Sequence, residues 1–250
     1  MPPRMIRRPA QTRRMRASRF AYDLVVGGTR VLGALVTAPV ARRFYNRHGA
    51  SDEELARPLP GDHLVRVPKL GYTRAITIDA PVEQVWPWLV QFGQGRGGFY
   101  SYDELENLVG CGIHSADEIL PEHQELAVGD LIRSGRDNQP CWQVVEVEPP
   151  HHLVLIGDGT PAQPEAPEVV DEVPERGYVA STWQWVLEPV EGGRGCRLIV
   201  RQRETYSPNQ SWLWHLVEPF NFVMEHRMLQ GIRDRAERRT ATIAAGSGDA

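Results

Sequence analysis

The stretch from Thr73 to Ile119 constrains the fold more than any other part of the chain. Thr73 to Ile78 sets Ala75 between β-branched Ile76 and Thr73, with Ile78 beyond, which reads as a strand. Asp79 stands at the expected N-cap, and Pro81 falls in the first turn of the helix that follows, where proline is tolerated. Val82, Val85, Trp86, Leu89 and Phe92 recur at helical spacing and give that helix an apolar face. Pro87 lies inside it, removes the hydrogen bond to the Glu83 carbonyl and is expected to kink it. The run Gly93-Gln94-Gly95-Arg96-Gly97-Gly98 ends the helix in a sharp turn, and Phe99, Tyr100 and Tyr102 open a second short helix.

The rest of the chain supplies strands and one long helix. Leu131 to Arg133, Trp142 to Glu148, Leu153 to Ile156, Tyr178 to Glu188 and Cys196 to Tyr206 read as strands, with turns at Pro149-Pro150 and Glu191 to Gly195. Gly157 to Gly177 is rich in proline and acid and reads as a long mobile hairpin loop. Trp212, Leu216, Phe220, Met224, Met228, Ile232 and Ala236 repeat at i+4, the stripe of a long amphipathic helix. Pro219 is expected to divide a lead-in turn from the main segment. This order predicts an α+β fold with helices on one face of an antiparallel sheet.

The segments ITIDAPVEQVWPWL from Ile76, GQGRGGFYSYDELENLVGCGIHSAD from Gly93 and EPFNFVMEHRMLQGIRDRAE from Glu218 resemble the SRPBCC superfamily. These are the START- and polyketide-cyclase-like helix-grip proteins, and the motifs together resemble a bacterial branch of them. With GASDEELARPLPGD included, the resemblance covers Gly49 to Arg239. It implies a curved antiparallel sheet wrapped around the C-terminal helix, with an internal apolar cavity between them. It does not imply one function, because such folds host lipid carriers, hormone receptors, cyclases and hydrolases. The expected organisation is a segment over 1–48, the helix-grip domain over 49–239, and a disordered tail over 240–250.

Apolar residues make up 41% of the chain and charged residues 24%, as in ordinary soluble domains, and a net charge of −4 gives no reason to expect nucleic acid. Cys111, Cys141 and Cys196 form no disulfide framework, so a reducing, cytoplasmic compartment is the default. The N-terminus is polarised. Met1 to Arg19 holds seven arginines and no acid, and Phe20 to Ala41 is apolar but for Asp23 and Arg30. Its uninterrupted part, Val31 to Ala41, is shorter than the ~20 residues that span a bilayer. Four readings compete. The first is a basic amphipathic helix on an anionic membrane surface, contacted through residues 1–47. The second is an exposed or core-docked helix behind a basic tail. The third is a transmembrane anchor, in which Asp23 and Arg30 would each cost a few kcal/mol at mid-bilayer. The fourth is a twin-arginine export signal at Thr12-Arg13-Arg14, although Arg16 and Ser18 stand where such signals prefer apolar residues.

Gly93, Gly95 and Gly98 match G-x-G-x-x-G, but they follow a helix where the dinucleotide fingerprint must follow a strand, so no nucleotide cofactor is expected. The resemblance places this loop at the cavity mouth. Cys111-x-x-His114 is half of a metal site at most. No second cluster stands at ligand spacing, His123 and His226 are distant, and no metal is expected. Tyr100, Tyr102, Asp103, Glu104 and His114 form the best acid–base cluster, with Tyr100, Tyr102, Asp103 and His114 the catalytic candidates. The competing reading makes Asp103, Glu104 and Glu106 a solvated helix face, with the tyrosines lining the cavity. Trp183 and Trp185 share one strand face and, if it is the inner one, oppose Phe220, Met224 and Met228. With Trp86, Trp88, Phe99, Tyr100 and Tyr102 these are the expected ligand contacts, an aromatic and methionine lining suited to pliable apolar molecules. Glu225 and Arg227 fall off the helix stripe and read as a surface ion pair, with His226 beside it.

The expected function is carriage or sequestration of a small apolar or amphipathic ligand, such as a lipid, isoprenoid, polyketide or aromatic compound. A cyclase, dehydratase or hydrolase acting on such a ligand is the alternative, and a membrane-tethered protein acting through its surface is another.

Overall fold

The structure is a computed structural model. It describes residues 18, 20–136, 141–157, 179–208 and 211–247, with backbone only for 211–216 and 246–247. The strands are β1 (Leu70–Ile78), β2 (Leu131–Arg133), β3 (Cys141–Glu148), β4 (His152–Gly157), β5 (Val179–Val190) and β6 (Gly195–Tyr206). They form one six-stranded sheet in the order β1-β6-β5-β4-β3-β2, antiparallel throughout. A β-bulge between Val144 and Glu146 shifts the register of β3 on β4 and adds to the sheet's bend. The expected hairpin loop at Gly157 to Gly177 lies outside the described residues apart from Gly157, which ends β4.

A π-helical turn (Asp23–Gly27) leads into α1 (Gly28–Asn46), followed by α2 (Asp52–Ala56), α3 (Val82–Val90), α4 (Asp103–Leu108) and α5 (Ser211–Ser247). Period-two alternation puts Ile78, Leu198, Val200, Trp185, Leu187, Leu153 and Leu155 on the inner face of the sheet, all essentially buried. Val85, Trp86 and Leu89 of α3, and Met228, Leu229, Ile232 and Ala236 of α5, fill the space above them. At ~25 cal/mol per Å², each large side chain so buried contributes about 1.5–3 kcal/mol. The fold is therefore α+β, with the long terminal helix against the sheet.

Several local expectations change. Pro81, not Asp79, occupies the N-cap of α3, and Asp79 instead accepts no cap bond but donates its backbone N–H to Glu237 (3.0 Å). Pro87 does lie within α3, and six of that helix's nine residues are buried, Trp86 and Trp88 in the core among them. Pro219 sits within α5 rather than at the start of a second segment. The turn around it is held by Glu218, which accepts from Arg42 Nε (2.9 Å) and from the Asn46 amide. α5 also continues to Ser247 in place of a frayed tail, since Ala241, Ala244 and Ala245 favour helix and Thr240 and Thr242 return their hydroxyls to Ala236 and Arg238 carbonyls.

The segment before β1 is held to the domain on two sides. α1 lies along α5, with Ala34 and Tyr45 buried beside Val223 and Met224, and Tyr45 stacked on Phe222 at 4.4 Å. Ser51 and Glu54 form a capping box that starts α2. The chain from Glu54 to Arg66 then crosses the outer face of the sheet. Arg197 holds Glu54 through two nitrogens (2.7 and 2.9 Å), Arg201 donates to Asp62 (2.6 Å) and the Glu54 carbonyl (2.7 Å), and Arg203 donates to the Val65 carbonyl (2.9 Å).

Candidate functional site

The inner face of the sheet changes character along its length. Up to Val200 and Trp185 it is apolar, but the next inward positions are Tyr72 and Arg74 on β1, Gln202 and Glu204 on β6, and Ser181 and Trp183 on β5. α5 crosses this end with Phe220, Asn221, Met224, Glu225 and Met228, and between helix and sheet a cleft of about 220 Å³ remains. Phe99, Trp142, Trp183, Phe220, Met224 and Met228 make its apolar lining. Ser101, Glu106, Ser134, Gln202, Asn221 and Glu225 supply the polar part.

Glu225 organises the polar floor. It is 3% exposed and accepts from Arg74 Nη1 (2.7 Å) and Trp183 Nε1 (2.9 Å), with the Tyr72 hydroxyl at 2.9 Å. That hydroxyl also touches the side-chain oxygen of Gln202, whose amide nitrogen donates to Ser181 Oγ (2.9 Å) and to Glu204. Arg74 is fully buried, lies 3.6 Å over the Tyr72 ring and donates Nε to the Tyr45 carbonyl (2.9 Å). Glu225 is thus a buried partner of β1, not half of a surface pair. Trp183 is fixed through its indole N–H, and its ring stands in the cleft wall between Trp142 (5.3 Å) and Trp185 (4.9 Å).

Glu106 closes the cleft from α4. The residue is only partly covered, but its Oε2 is buried without a hydrogen-bond partner, while Oε1 accepts from Ser101 Oγ at 2.8 Å. Burial pushes its carboxyl up to about 8, against the Ser101 hydrogen bond, with nearby Asp103 and Asp23 adding to the rise. Glu204, 3% exposed, is likewise pushed to about 8 chiefly by burial. Burial thus favours the protonated form of both carboxyls at neutral pH.

These two acids set a pH dependence. Below the ordinary carboxylate value of 4.5 both folded and unfolded chains carry the protons; above it the unfolded chain loses them while the fold keeps them until about 8. Stability therefore falls as pH rises through that window. Urea midpoints should drop between about pH 6 and about pH 8, above the range in which His226, its pKa lowered to about 4 by burial, pulls the other way. Glu204→Gln, which imitates the protonated acid, should flatten the drop. A midpoint that rises with pH over that range would contradict the assignment.

Of the expected ligand contacts, Phe99, Trp183, Phe220, Met224 and Met228 line the cleft. Trp86, Trp88 and Trp185 are buried in the packed core instead. Tyr100 is 1% exposed and donates its hydroxyl to the Trp88 carbonyl (3.1 Å), and Tyr102, fully buried, accepts from Arg30 Nη1 (2.8 Å). Asp103 accepts both the backbone N–H (2.7 Å) and the hydroxyl (2.6 Å) of Ser115, and His114 is exposed. Hydrogen bonds within the protein thus occupy Tyr100, Tyr102 and Asp103, and none of the four catalytic candidates lines the cleft. Glu106, expected on a solvated face, turns its carboxyl inward. The glycine run forms the anticipated tight turn, with Gly93 bridged to Gly98, and only the following Phe99 reaches the cleft.

A larger groove of about 740 Å³ lies along the β1 border, between the end of α1, the crossing segment and β1, and is lined by several arginines. Arg42, Arg47, Arg57 and Arg201 there are paired with Glu218, Asp52, Glu188 and Asp62, while Arg43 stands exposed.

No family model and no curated protein matches the chain. Among solved structures it is similar to a protein from Arthrobacter aurescens, with 17% identity over 74% of this chain and 92% of that one and a TM-score of 0.38. A conserved protein from Geobacillus kaustophilus is 16% identical over 68% of this chain and 96% of its own, with a TM-score of 0.38. A hypothetical protein from Helicobacter pylori is 12% identical over 72% of this chain and 96% of its own, with a TM-score of 0.42.

Proposed function

We propose that the protein is a binding protein of the SRPBCC helix-grip kind, and that its cleft between α5 and the polar end of the sheet holds a small apolar molecule bearing one polar group. The motifs at Ile76, Gly93 and Glu218 and the sheet-on-helix architecture support the first part. One observation carries the second: an aromatic and methionine wall surrounds Glu106, whose carboxyl favours the protonated form at neutral pH and has a buried oxygen with no partner. An apolar pocket with a few convergent polar groups is the usual form of a small-molecule site. At about 220 Å³ the cleft is smaller than the ~300–1,000 Å³ of typical small-molecule pockets, which suits a fused-ring or short isoprenoid compound better than a whole lipid. A ligand carbonyl or hydroxyl would accept from Glu106.

The enzyme reading keeps one specific support. A carboxylic acid poised near neutral pH is the group a cyclase, dehydratase or hydrolase needs for proton transfer, and here Glu106 takes the role first assigned to Tyr100, Tyr102, Asp103 or His114. Titration of tryptophan fluorescence with 2-naphthol and with naphthalene tests the binding reading. 2-Naphthol should bind the tighter, and Glu106→Leu should erase the difference, worth about 0.5–1.5 kcal/mol for one hydrogen bond. Met224→Trp should fill the cleft and abolish binding of both. If neither compound binds, and native mass spectrometry of purified protein shows only the bare chain mass, the cleft is not a ligand site.

A further inference from the structure

The helix from Phe20 to Asn46 is long and apolar enough to cross a membrane, yet only 11% of its most apolar 18-residue window is buried. What the fold does with its polar groups decides how it meets lipid. The two charges that interrupt it both bond to the domain, although Arg30 stays exposed. Asp23 is buried and accepts the Glu104 backbone N–H (3.3 Å), and Arg30 donates to the Tyr102 hydroxyl (2.8 Å). Thr29 and Thr37 return their hydroxyls to the Val25 and Gly33 carbonyls (2.6 Å each), so neither presents an unmet donor outward. Outward stand Phe20, Val25, Leu32, Val36, Val40 and Phe44, each 49% to 88% exposed, beside the exposed Thr29, Arg30 and Thr37. A contiguous apolar face of this kind on a folded domain marks a surface that something covers.

We propose that the occupant is an anionic bilayer, and that α1 lies in the plane of its surface while staying docked on α5. Charge complementarity selects the membrane. Seven arginines and no acid precede the helix, and Arg43 stands exposed near its far end. Both ends of the stripe are basic, so stacking two copies through it sets cation against cation, whereas acidic headgroups satisfy both ends. Docking selects the in-plane arrangement. Tyr45 stacks on Phe222, Arg42 and Asn46 hold Glu218, and Arg74 takes the Tyr45 carbonyl. A transbilayer helix would have to give up these contacts and uncover Phe222, Val223 and a buried arginine. Interfacial helices of this design bury one apolar face at the headgroup boundary and keep the other on the protein.

The test is flotation of the full-length protein with phosphatidylcholine vesicles, with and without phosphatidylglycerol. It should float only with the mixed vesicles. Val36→Asp/Val40→Asp should weaken binding about tenfold or more with unchanged thermal melting, since both valines are exposed. If that variant melts early, Val36→Ser/Val40→Ser serves in its place. Trypsin added outside the vesicles should cut the arginine-rich segment. Its protection while the domain stays accessible would mean that the helix spans, and would overturn the in-plane arrangement. Failure of the wild type to float, or equal flotation of the variants, would overturn the membrane as occupant. So would a dimer in solution that the variants disrupt.

Discussion

Arg74→Met should destabilise the protein by about 3–5 kcal/mol, the usual cost of breaking a buried ion pair from one side. Arg74 and Glu225 have side chains 1% and 2% exposed and lie 2.7 Å apart. Without the guanidinium, Glu225 would keep only the neutral donors Trp183 and Tyr72, too few to replace water around a buried carboxylate. Glu225→Leu should cost a similar amount, because Arg74 would retain only the Tyr45 carbonyl and the faces of Tyr72 and Phe222. The double variant is the informative one. Once both charges are gone, most of the loss should be recovered, so the two effects fall well short of adding. Urea midpoints of the four proteins would check this, and a single-variant loss under about 1 kcal/mol would show that the pair contributes little. Arg74→Met should also weaken any ligand in the cleft, since Glu225 fixes Trp183.

Gly231→Ala should be the most damaging small change in α5. An added Cβ would stand 2.2 Å from the Tyr100 carbonyl oxygen and 2.8 Å from its Cβ. Tyr100 cannot retreat easily. Its backbone is already in the left-handed region (φ 59°), its N–H takes Ser115 Oγ (2.8 Å), and its ring is pinned between Trp88 and the Arg235 guanidinium. Alanine in a helix gains about 1 kcal/mol over glycine, but overpacking against backbone costs about 3 kcal/mol or more, so the net effect is destabilising. A melting temperature unchanged or raised by Gly231→Ala would show that the loop yields.

The strands and the long helix are legible in the sequence because alternation and the i+4 stripe are strong, local signals. The cleft is less so. Arg74 shares the inner face with Ile78 at period two, and Gln202 and Glu204 share it with Leu198 and Val200, so an inward charge could have been read from β1 alone. Its partner could not, for Glu225 arrives from 151 residues away. Beside Met224, Glu225 looks like an outward residue only if α5 has a single covered face. In fact α5 is covered by the sheet on one side and by α1 on another, and Glu225 lies under cover. The same docking takes Tyr102 out of the cleft, since Arg30 claims its hydroxyl. Glu106 is not legible, because a short acidic helix reads as solvated and nothing local announces that one of its acids takes the Ser101 hydroxyl.

A sheet of six strands leaves two borders, and here a loop meets each of them. On the β1 side the Ala75 N–H donates to the His48 carbonyl (3.1 Å), and Gly49, at φ 75°, brings its Cα so close that a Cβ would strike the Ala75 oxygen at 2.1 Å. On the β2 side the Gln94 N–H donates to the Arg133 carbonyl (2.9 Å), along a strand of only three residues. Unsheathed borders invite neighbouring molecules to add strand to strand. Any side chain at Gly49 would push the loop off β1 and bare a nine-residue template. The harm from such a change would then grow with protein concentration, as fibre-like clustering among molecules that are each still folded.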